Sequence, residues 1–382
     1  MPQPSSEIDR WLAQLGAPAA DRDYRPGHAR MQLLLERFPL QRPRLRVRIA
    51  GTNGKGSTAF MLANALQRAG LRVGLYTSPH IHCFNERIRI DSVPVTDDRL
   101  RALLQTIVPY AIEVGASYFE VATCLALHLF ARERVDAEVL EAGVGARLDA
   151  TTAVAAEMAL ITPVGLDHQA WLGDDLAAIA AEKAFAVDGC RWAISAPQVE
   201  AVSRVLQRHR PDIEFVEPGD GLSDMKMRGA HQSMNGALAY RAVERLHGAG
   251  MIPVALPELA RAISATELPG RLQRIEWEGR RIWLDAAHNM HALRATLPVL
   301  SELAPFEAIL VFTREDRDLS EAAPLLSPLT RRLVMGGGSS SGSEPLEAVL
   351  ERTVASRSEG RFLVMGSFLT MQAAARWLDA RG

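Results

Sequence analysis

Residues Val47-Arg48-Ile49-Ala50-Gly51-Thr52-Asn53-Gly54-Lys55-Gly56-Ser57-Thr58 constrain the fold more tightly than any other stretch, because a short β-rich run breaks into glycines and then enters a helical pattern. With Gly51, Gly54 and Gly56 leaving the backbone bare, consecutive N–H groups can turn inward around phosphate oxygens, and the following helix adds the positive end of its dipole. Lys55 supplies a point charge. Ser57 or Thr58 places a hydroxyl where a phosphate-bound Mg²⁺ would need a ligand. Gly51, Thr52, Asn53, Gly54, Lys55, Gly56, Ser57 and Thr58 are therefore the candidate nucleotide-binding residues. The spacing departs from the common G-x-x-x-x-G-K-[ST] pattern, since Gly56 stands directly after the lysine. A glycine-rich turn with a solvated lysine is the competing reading.

A chain of 382 residues has room for about two domains, each with its own core. Its formal net charge of −2 provides no global field for nucleic acid or an anionic membrane, so an anionic ligand has to be met by local positive groups. Cys83, Cys124 and Cys190 are odd in number and lack a C-x-x-C arrangement, which argues against a disulfide framework or a zinc site. The polar start and the interrupted apolar runs contain neither a signal peptide nor a membrane span. A cytoplasmic protein without nucleic-acid or membrane partners is expected.

Two short helices are predicted over residues 7–15 and 31–38, separated by a turn at Pro26-Gly27. After the glycine loop, a helix over 59–69 ends at Gly70 and a buried strand follows at 72–76. Strand, loop, helix and strand in this order imply a parallel sheet with a right-handed crossover, whose ligands gather at the carboxyl ends of the strands. Polar residues follow successive strands: Thr77-Ser78-Pro79-His80 and Phe84–Ile90 after the second, Glu141 and the segment to Asp149 after 135–141, and Gly165-Leu166-Asp167-His168 after 158–162. Any one of these is explained by a surface turn or a helix cap, the latter suiting Asp167 or Asp174. Together they suggest a metal and phosphate site, with Glu141 as the acid that organises Mg²⁺.

Helices are expected at 100–114, 118–132, 175–185, 231–246 and 256–265, and strands at 191–195 and 213–216. His128 reads as a satisfied packing residue, and Lys183 by itself as a cation offsetting a helix dipole. Thr266–Arg271 is a Pro-Gly breaker, placing the boundary between an N-terminal domain, 1–266, and a C-terminal one, 267–382. Beyond it, strands at 272–278, 281–285, 308–312, 332–335 and 361–365 alternate with helices from His291, over 319–326, 345–356 and 368–380. A second, smaller α/β domain follows from this alternation. Gly336–Ser343 is a low-complexity loop with no lysine after it.

Several ordered segments resemble the folylpolyglutamate synthase and dihydrofolate synthase family within the Mur ligases. They are 50–57, 76–80, 84–88, 117–120, 165–168, 181–184, 269–273 and 285–289, with a weaker match at 365–368. The resemblance implies an α/β fold with a P-loop Mur-ligase-type ATPase domain on a parallel-rich sheet, plus a smaller Rossmann-like C-terminal domain. It further implies an ATP-dependent amide ligase that adds L-glutamate to a pterin-linked carboxylate through an acyl phosphate, acting as a monomer. On this resemblance Lys55, His168, Lys183, Asp285 and His288 are catalytic. Asn235, Arg271 and Asp285 contact nucleotide. Ser57, Ser78, Glu141, His168 and Lys183 serve two Mg²⁺ sites, Lys183 as a carbamate. The last point replaces the dipole-capping reading.

The chain departs from the family pattern at Ala146, Thr152, Phe185 and Met290, and has Arg314-Glu315-Asp316-Arg317-Asp318 where Asp-Lys-Asp is usual. Two alternatives accordingly stand beside the folate reading: a Mur-type ligase for another carboxylic acid, and a nucleotide-dependent switch without ligase chemistry. A dinucleotide oxidoreductase is disfavoured, because no G-x-G-x-x-G follows the first strand.

Overall fold

The structure is a computed structural model that describes residues 7–15, 27–217, 222, 224–314, 319–337 and 344–381. Pro26, Glu315–Asp318 and residues 338–343 lie outside them, and with them part of the predicted first turn, all but Arg314 of the Arg314–Asp318 segment and most of the low-complexity loop. In chain order the first elements are α1 (Glu7–Ala13), α2 (Ala29–Arg37), β1 (Leu45–Ala50), α3 (Lys55–Arg68) and β2 (Val73–Tyr76). Next come β3 (Ile88–Ile90), β4 (Val93–Pro94), α4 (Asp97–Glu113), α5 (Tyr118–Arg132), β5 (Ala137–Glu141) and β6 (Met158–Ile161). Then follow α6 (Gln169–Leu172), α7 (Leu176–Ala184), β7 (Trp192–Ser195), α8 (Glu200–His209), β8 (Glu214–Phe215), α9 (Ala230–Gly248) and α10 (Leu256–Ser264).

The first sheet has the order β4-β3-β2-β5-β1-β6-β7-β8. From β2 to β8 its neighbours are parallel, whereas β3 and β4 are antiparallel at one edge. Every residue of β1 is buried, as expected for a central parallel strand covered on both faces. Strand alternation places Leu45, Val47 and Ile49 on one face and Arg46, Arg48 and Ala50 on the other. α3 packs against β1, β2, β5 and α10. One core cluster joins Tyr76 and Leu140 to α1, α2, α4 and α5, and another joins Ala50, Ala159 and Ile161 to α7 and α8. Burying aliphatic side chains such as Leu104, Leu125 and Ile179 contributes roughly 1.5–3 kcal/mol each.

Chain contacts divide the protein into two units. Unit 1 comprises Met1–Ser78, Phe84–Met225 and Ser233–Thr266, and unit 2 comprises Pro79–Cys83, Lys226–Gln232 and Glu267–Gly382. Unit 2 is built on β9 (Gln273–Trp277), β10 (Arg280–Asp285), α11 (Met290–Leu303), β11 (Ala308–Thr313), α12 (Ala323–Leu326), β12 (Leu333–Gly337), α13 (Leu346–Leu350), β13 (Gly360–Met365) and α14 (Phe368–Asp379). Its sheet order is β12-β11-β13-β10-β9, parallel except for the β9–β10 hairpin. Ile282 and Leu284 enter one core cluster, and Trp283 enters another in which its ring meets Phe306 edge-on at 5.8 Å.

Several local expectations change. The helix after the glycine loop starts at Lys55 rather than Ala59, because the loop itself turns directly into the first helical hydrogen bond, Thr58 N–H to Gly54 O. Phe84–Ile90 is a 3₁₀ turn followed by the short strand β3, which pairs with β2 and β4. The amphipathic α8, which buries only Val202 and Leu206, is an element that the sequence reading does not predict. The expected helix at 319–326 divides into a 3₁₀ turn and α12, and the one at 345–356 becomes α13 and a π-helical turn, Glu351–Ala355. His128 stacks edge-on with Phe38, but its Nε2 is buried without a hydrogen-bond partner among the described residues, so it packs without being fully satisfied there.

Candidate active site

Because β1 lies between β5 and β6, the loops that leave these strands at their carboxyl ends are neighbours, although the residues are about ninety positions or more apart. Thr52 and Asn53 donate their N–H groups to Pro163 O at 3.0 and 3.3 Å. The Thr52 hydroxyl donates to Gly165 O at 3.0 Å and accepts from Gly165 N–H at 3.1 Å. The glycine loop is thereby fastened to the loop after β6.

Two glycines are required where the loop makes its closest approaches. Gly51 has φ +139°, and a Cβ there would overlap the Thr162 side chain and sit 2.7 Å from the Thr162 carbonyl oxygen. Gly54 has φ +90°, and a Cβ there would overlap the Asn235 amide. Asn235 is thus held against the loop from α9. The Lys55 ammonium donates to Thr52 O at 3.1 Å. Ser57 and Thr58, in the first turn of α3, are fully buried, and their hydroxyls have no hydrogen-bond partner among the described residues. Buried orphan hydroxyls at a helix N-terminus suit a phosphate and its bound cation, whereas the Thr52 and Asn53 N–H groups are taken by Pro163 O and do not turn inward as the sequence suggests.

Glu141, the last residue of β5, reaches the same place. Its carboxylate accepts the Ser78 N–H at 3.0 Å and lies 3.5 Å from where a Cβ on Gly56 would be. Ser57, Ser78 and Glu141 are oxygen donors of the kind Mg²⁺ takes. Among the described residues no three His, Cys, Asp or Glu side chains form a metal-holding group.

Lys183, in the last turn of α7, is 3 % exposed, and its amine donates to Gly51 O at 2.8 Å. Burial lowers its pKa well below the ordinary lysine value, nearby Lys55 lowers it further, and Asp149 opposes them. α7 is capped by Asp175, whose carboxylate accepts the Ala178 N–H at 2.8 Å. The cap is thus neither Asp167 nor Asp174. Asp167 instead accepts the N–H of His168 at 2.8 Å, and His168 opens α6 in the left-handed conformation, φ 51°.

The loop after β5 is organised by Asp149, which the sequence reading does not single out. Its carboxylate accepts from Gly143 N–H at 2.9 Å, Val144 N–H at 3.2 Å, Thr151 N–H at 2.9 Å and the Thr151 hydroxyl at 2.6 Å. Burial raises its pKa, and these bonds hold it down in part. The departures sit in supporting positions. Thr152 donates to Ala146 O at 2.6 Å and meets His28 Nε2 at 3.0 Å. Phe185 packs 5.0 Å from the His209 ring, and Met290 is the first residue of α11 behind its Asn289 cap, a position where Pro is favoured but not required.

Unit 2 gathers a second group at the end of β10. Asp285 accepts Leu272 N–H and Ala287 N–H, both at 2.9 Å. Arg271 stacks its guanidinium 5.1 Å from the Phe368 ring centre, and the His288 ring lies 6.4 Å from the same ring. His288 Nδ1 is 2.9 Å from Ala286 O. His231 belongs to this group too: its pKa is lowered by burial, raised by Asp285 and by its contact with Ala295 O, and lowered by Arg271. Its position within His231-Gln232-Ser233-Met234-Asn235, just ahead of Asn235, is the signal that could have identified it.

No protein-family model matches the chain. Among curated proteins, it is 32% identical over 300 residues to the dihydrofolate synthase/folylpolyglutamate synthase of Bacillus subtilis, covering 69% of this chain and 70% of that one. This chain belongs to the dihydrofolate synthase/folylpolyglutamate synthase family. The Escherichia coli member is 28% identical over 414 residues, 100% of this chain and 97% of that protein. A probable bifunctional folylpolyglutamate synthase/dihydropteroate synthase of Haloferax volcanii is 31% identical over 339 residues, of which this chain spans only 40% of the length. The fold is that of solved structures of the family. E. coli FolC in complex with DHPP and ADP superposes with a TM-score of 0.82 at 24% identity over 100% of both chains. A bifunctional folylpolyglutamate synthase/dihydrofolate synthase with Mn, AMPPNP and L-glutamate bound gives 0.78 at 24% identity over 99% of both.

Proposed function

We propose that this chain is an ATP-dependent acid–amino-acid ligase that joins L-glutamate to a pterin-linked carboxylate, dihydropteroate or tetrahydrofolate. The observation that carries this is the meeting, at the carboxyl ends of the central strands β1 and β5, of a phosphate-binding loop with orphan Ser57 and Thr58 hydroxyls, the Glu141 carboxylate and the buried amine of Lys183. A loop alone would serve any nucleotide protein. The buried lysine on the loop is what a ligase adds.

In the reaction a substrate carboxylate oxygen attacks the γ-phosphorus and ADP leaves. The glutamate amine then attacks the acyl carbon, phosphate leaves, and the ammonium proton is lost. Two anions have to approach in the first step. Lys55 and the α3 N-terminus neutralise and align them. A divalent cation held by Ser57, Ser78 and Glu141 would supply further charge neutralisation. His168 and Lys183 are proposed for a second cation. Burial holds Lys183 towards its neutral form, and only a neutral amine can add CO₂, forming the N–C bond of a carbamate and releasing a proton. Asn235 presses on the loop for nucleotide binding, and Arg271, Asp285 and His288 are proposed as further residues of the ligase.

The test is ADP release by purified protein with ATP, Mg²⁺ and glutamate, with dihydropteroate or tetrahydrofolate added. Stimulation by either acceptor is expected. If neither stimulates and another carboxylic acid does, the folate reading is overturned.

A further inference from the structure

β1 carries a second arginine beside the one that has a carboxylate partner. Arg46 pairs with its register neighbour Glu138 on β5, Nε to Oε2 at 2.5 Å. Among the described residues Arg48, 2 % exposed, has only backbone hydrogen-bond partners: Nη1 donates to Ala186 O at 2.8 Å, Nη2 to Val154 O at 2.7 Å, and Nε is buried without a partner. A charge in the interior without a carboxylate in contact is unfavourable, and an apolar side chain at this position would avoid that. What holds the guanidinium there is the pair of carbonyls it satisfies, Ala186 O and Val154 O, with a longer-range attraction to Asp149 and Asp188.

Its two acceptors lie where regular structure stops. Val154 ends the 3₁₀ turn Ala150–Ala153 that follows Asp149, and Ala186 lies in the turn Phe185–Val187 that follows α7. Val154 packs on the core cluster of α5, and Ala186 belongs to that of α7. Arg48 thus spans the seam between the two clusters, directly under the glycine loop. Ala186 is three residues after Lys183, and Gly51, which accepts the Lys183 amine at 2.8 Å, is three residues after Arg48. The two hydrogen bonds close a ring: strand to turn through Arg48, helix to loop through Lys183.

We propose that Arg48 is a positioning residue for Lys183, bracing the end of α7 against β1 so that the lysine side chain reaches the phosphate loop. This rests on the role given to Lys183 above. The experiment is a double-mutant cycle of Arg48→Met and Lys183→Ala, read as kcat and KM for ADP release, with thermal unfolding alongside. Misplacing a group that acts on the reacting atoms by about an ångström costs on the order of a hundredfold. Arg48→Met is therefore expected to lower kcat about ten- to a hundredfold with KM for ATP changed less than about twofold, and to lower the Tm modestly, because Ala186 O and Val154 O lose their donor. In the Lys183→Ala background it is expected to change the residual rate by less than about twofold, because coupled residues are not additive.

An unchanged kcat in Arg48→Met, or the same fold-loss in both backgrounds, overturns the proposal. Wild-type turnover in Lys183→Ala overturns instead the role of Lys183, a separate result. If Arg48→Met does not fold, the cycle is run with Arg48→Lys, which keeps the charge but reaches one carbonyl. A loss confined to the background with Lys183 supports the proposal, and a wild-type kcat overturns it.

Discussion

Gly51→Ala tests the geometry of the phosphate loop most directly. At φ +139° an L-residue is strained whatever space surrounds it, at about 1–3 kcal/mol. The added methyl would also stand 2.7 Å from the Thr162 carbonyl oxygen. Rotating the threonine side chain relieves part of the overlap, but the carbonyl belongs to the backbone that follows β6 and cannot turn away. Forcing the loop off β6 adds an overpacking cost of roughly 1–3 kcal/mol. The sum, about 4 kcal/mol, lowers the Tm by about 10 °C for a domain of this size. Gly56→Ala is the control, since its methyl would lie at ordinary contact distance, 3.5 Å from Glu141 Oε2, and its Tm is expected within about 2 °C of wild type. The assay is thermal unfolding by circular dichroism with and without MgATP. Wild type at a hundred times its Kd is stabilised by about 2.7 kcal/mol, whereas Gly51→Ala is expected to show no nucleotide-induced shift. A Gly51→Ala protein with wild-type Tm and an intact shift would refute the argument that the loop depends on this backbone conformation.

Lys183→Met tests the buried amine through pH. The folded pKa is depressed below the ordinary 10.5 by burial first and by Lys55 second. Between the folded value and 10.5 the unfolded chain therefore binds more protons, and stability rises with pH by up to about 1.4 kcal/mol per unit. In CO₂-free buffer the wild type is expected to lose stability relative to Lys183→Met as pH falls through this window, and equal pH dependence from chemical denaturation would sink the idea. Asp149→Ala removes the acceptor of three N–H groups and one hydroxyl, at about 3–5 kcal/mol; a shift of the urea midpoint corresponding to under 1 kcal/mol would show that the loop after β5 does not depend on it.

Much of the candidate site is legible in the sequence because its requirements are local. Gly51, Gly54, Lys55, Ser57 and Thr58 answer to one strand-to-helix turn, and the required left-handed or close-approach positions exclude side chains whatever the rest of the chain does. Glu141 is readable as the end of an apolar run. Elements held by long-range contacts are less readable. The strand β3 exists because β2 and β4 offer it ladders on both sides, and α8 carries Val202 and Leu206 at helical spacing in a charged stretch that the sequence reading leaves unassigned.

The residues by themselves determined a phosphate loop entering a helix, alternating strands and helices in two α/β blocks, and a family pattern carried by ordered segments. Tertiary structure decided which strands lie beside β1, and so brought Glu141 from β5, Gly165 from beyond β6 and Lys183 from α7 to the loop. It also decided that Lys183 is a buried hydrogen-bond donor to Gly51 rather than a cation at a helix end, that Asp149 ties the β5 loop together, and that Arg48 spans two core clusters. Backbone conformation is set by neighbours in the chain, whereas burial, pairing and the pKa shifts that follow from them are set by neighbours in space.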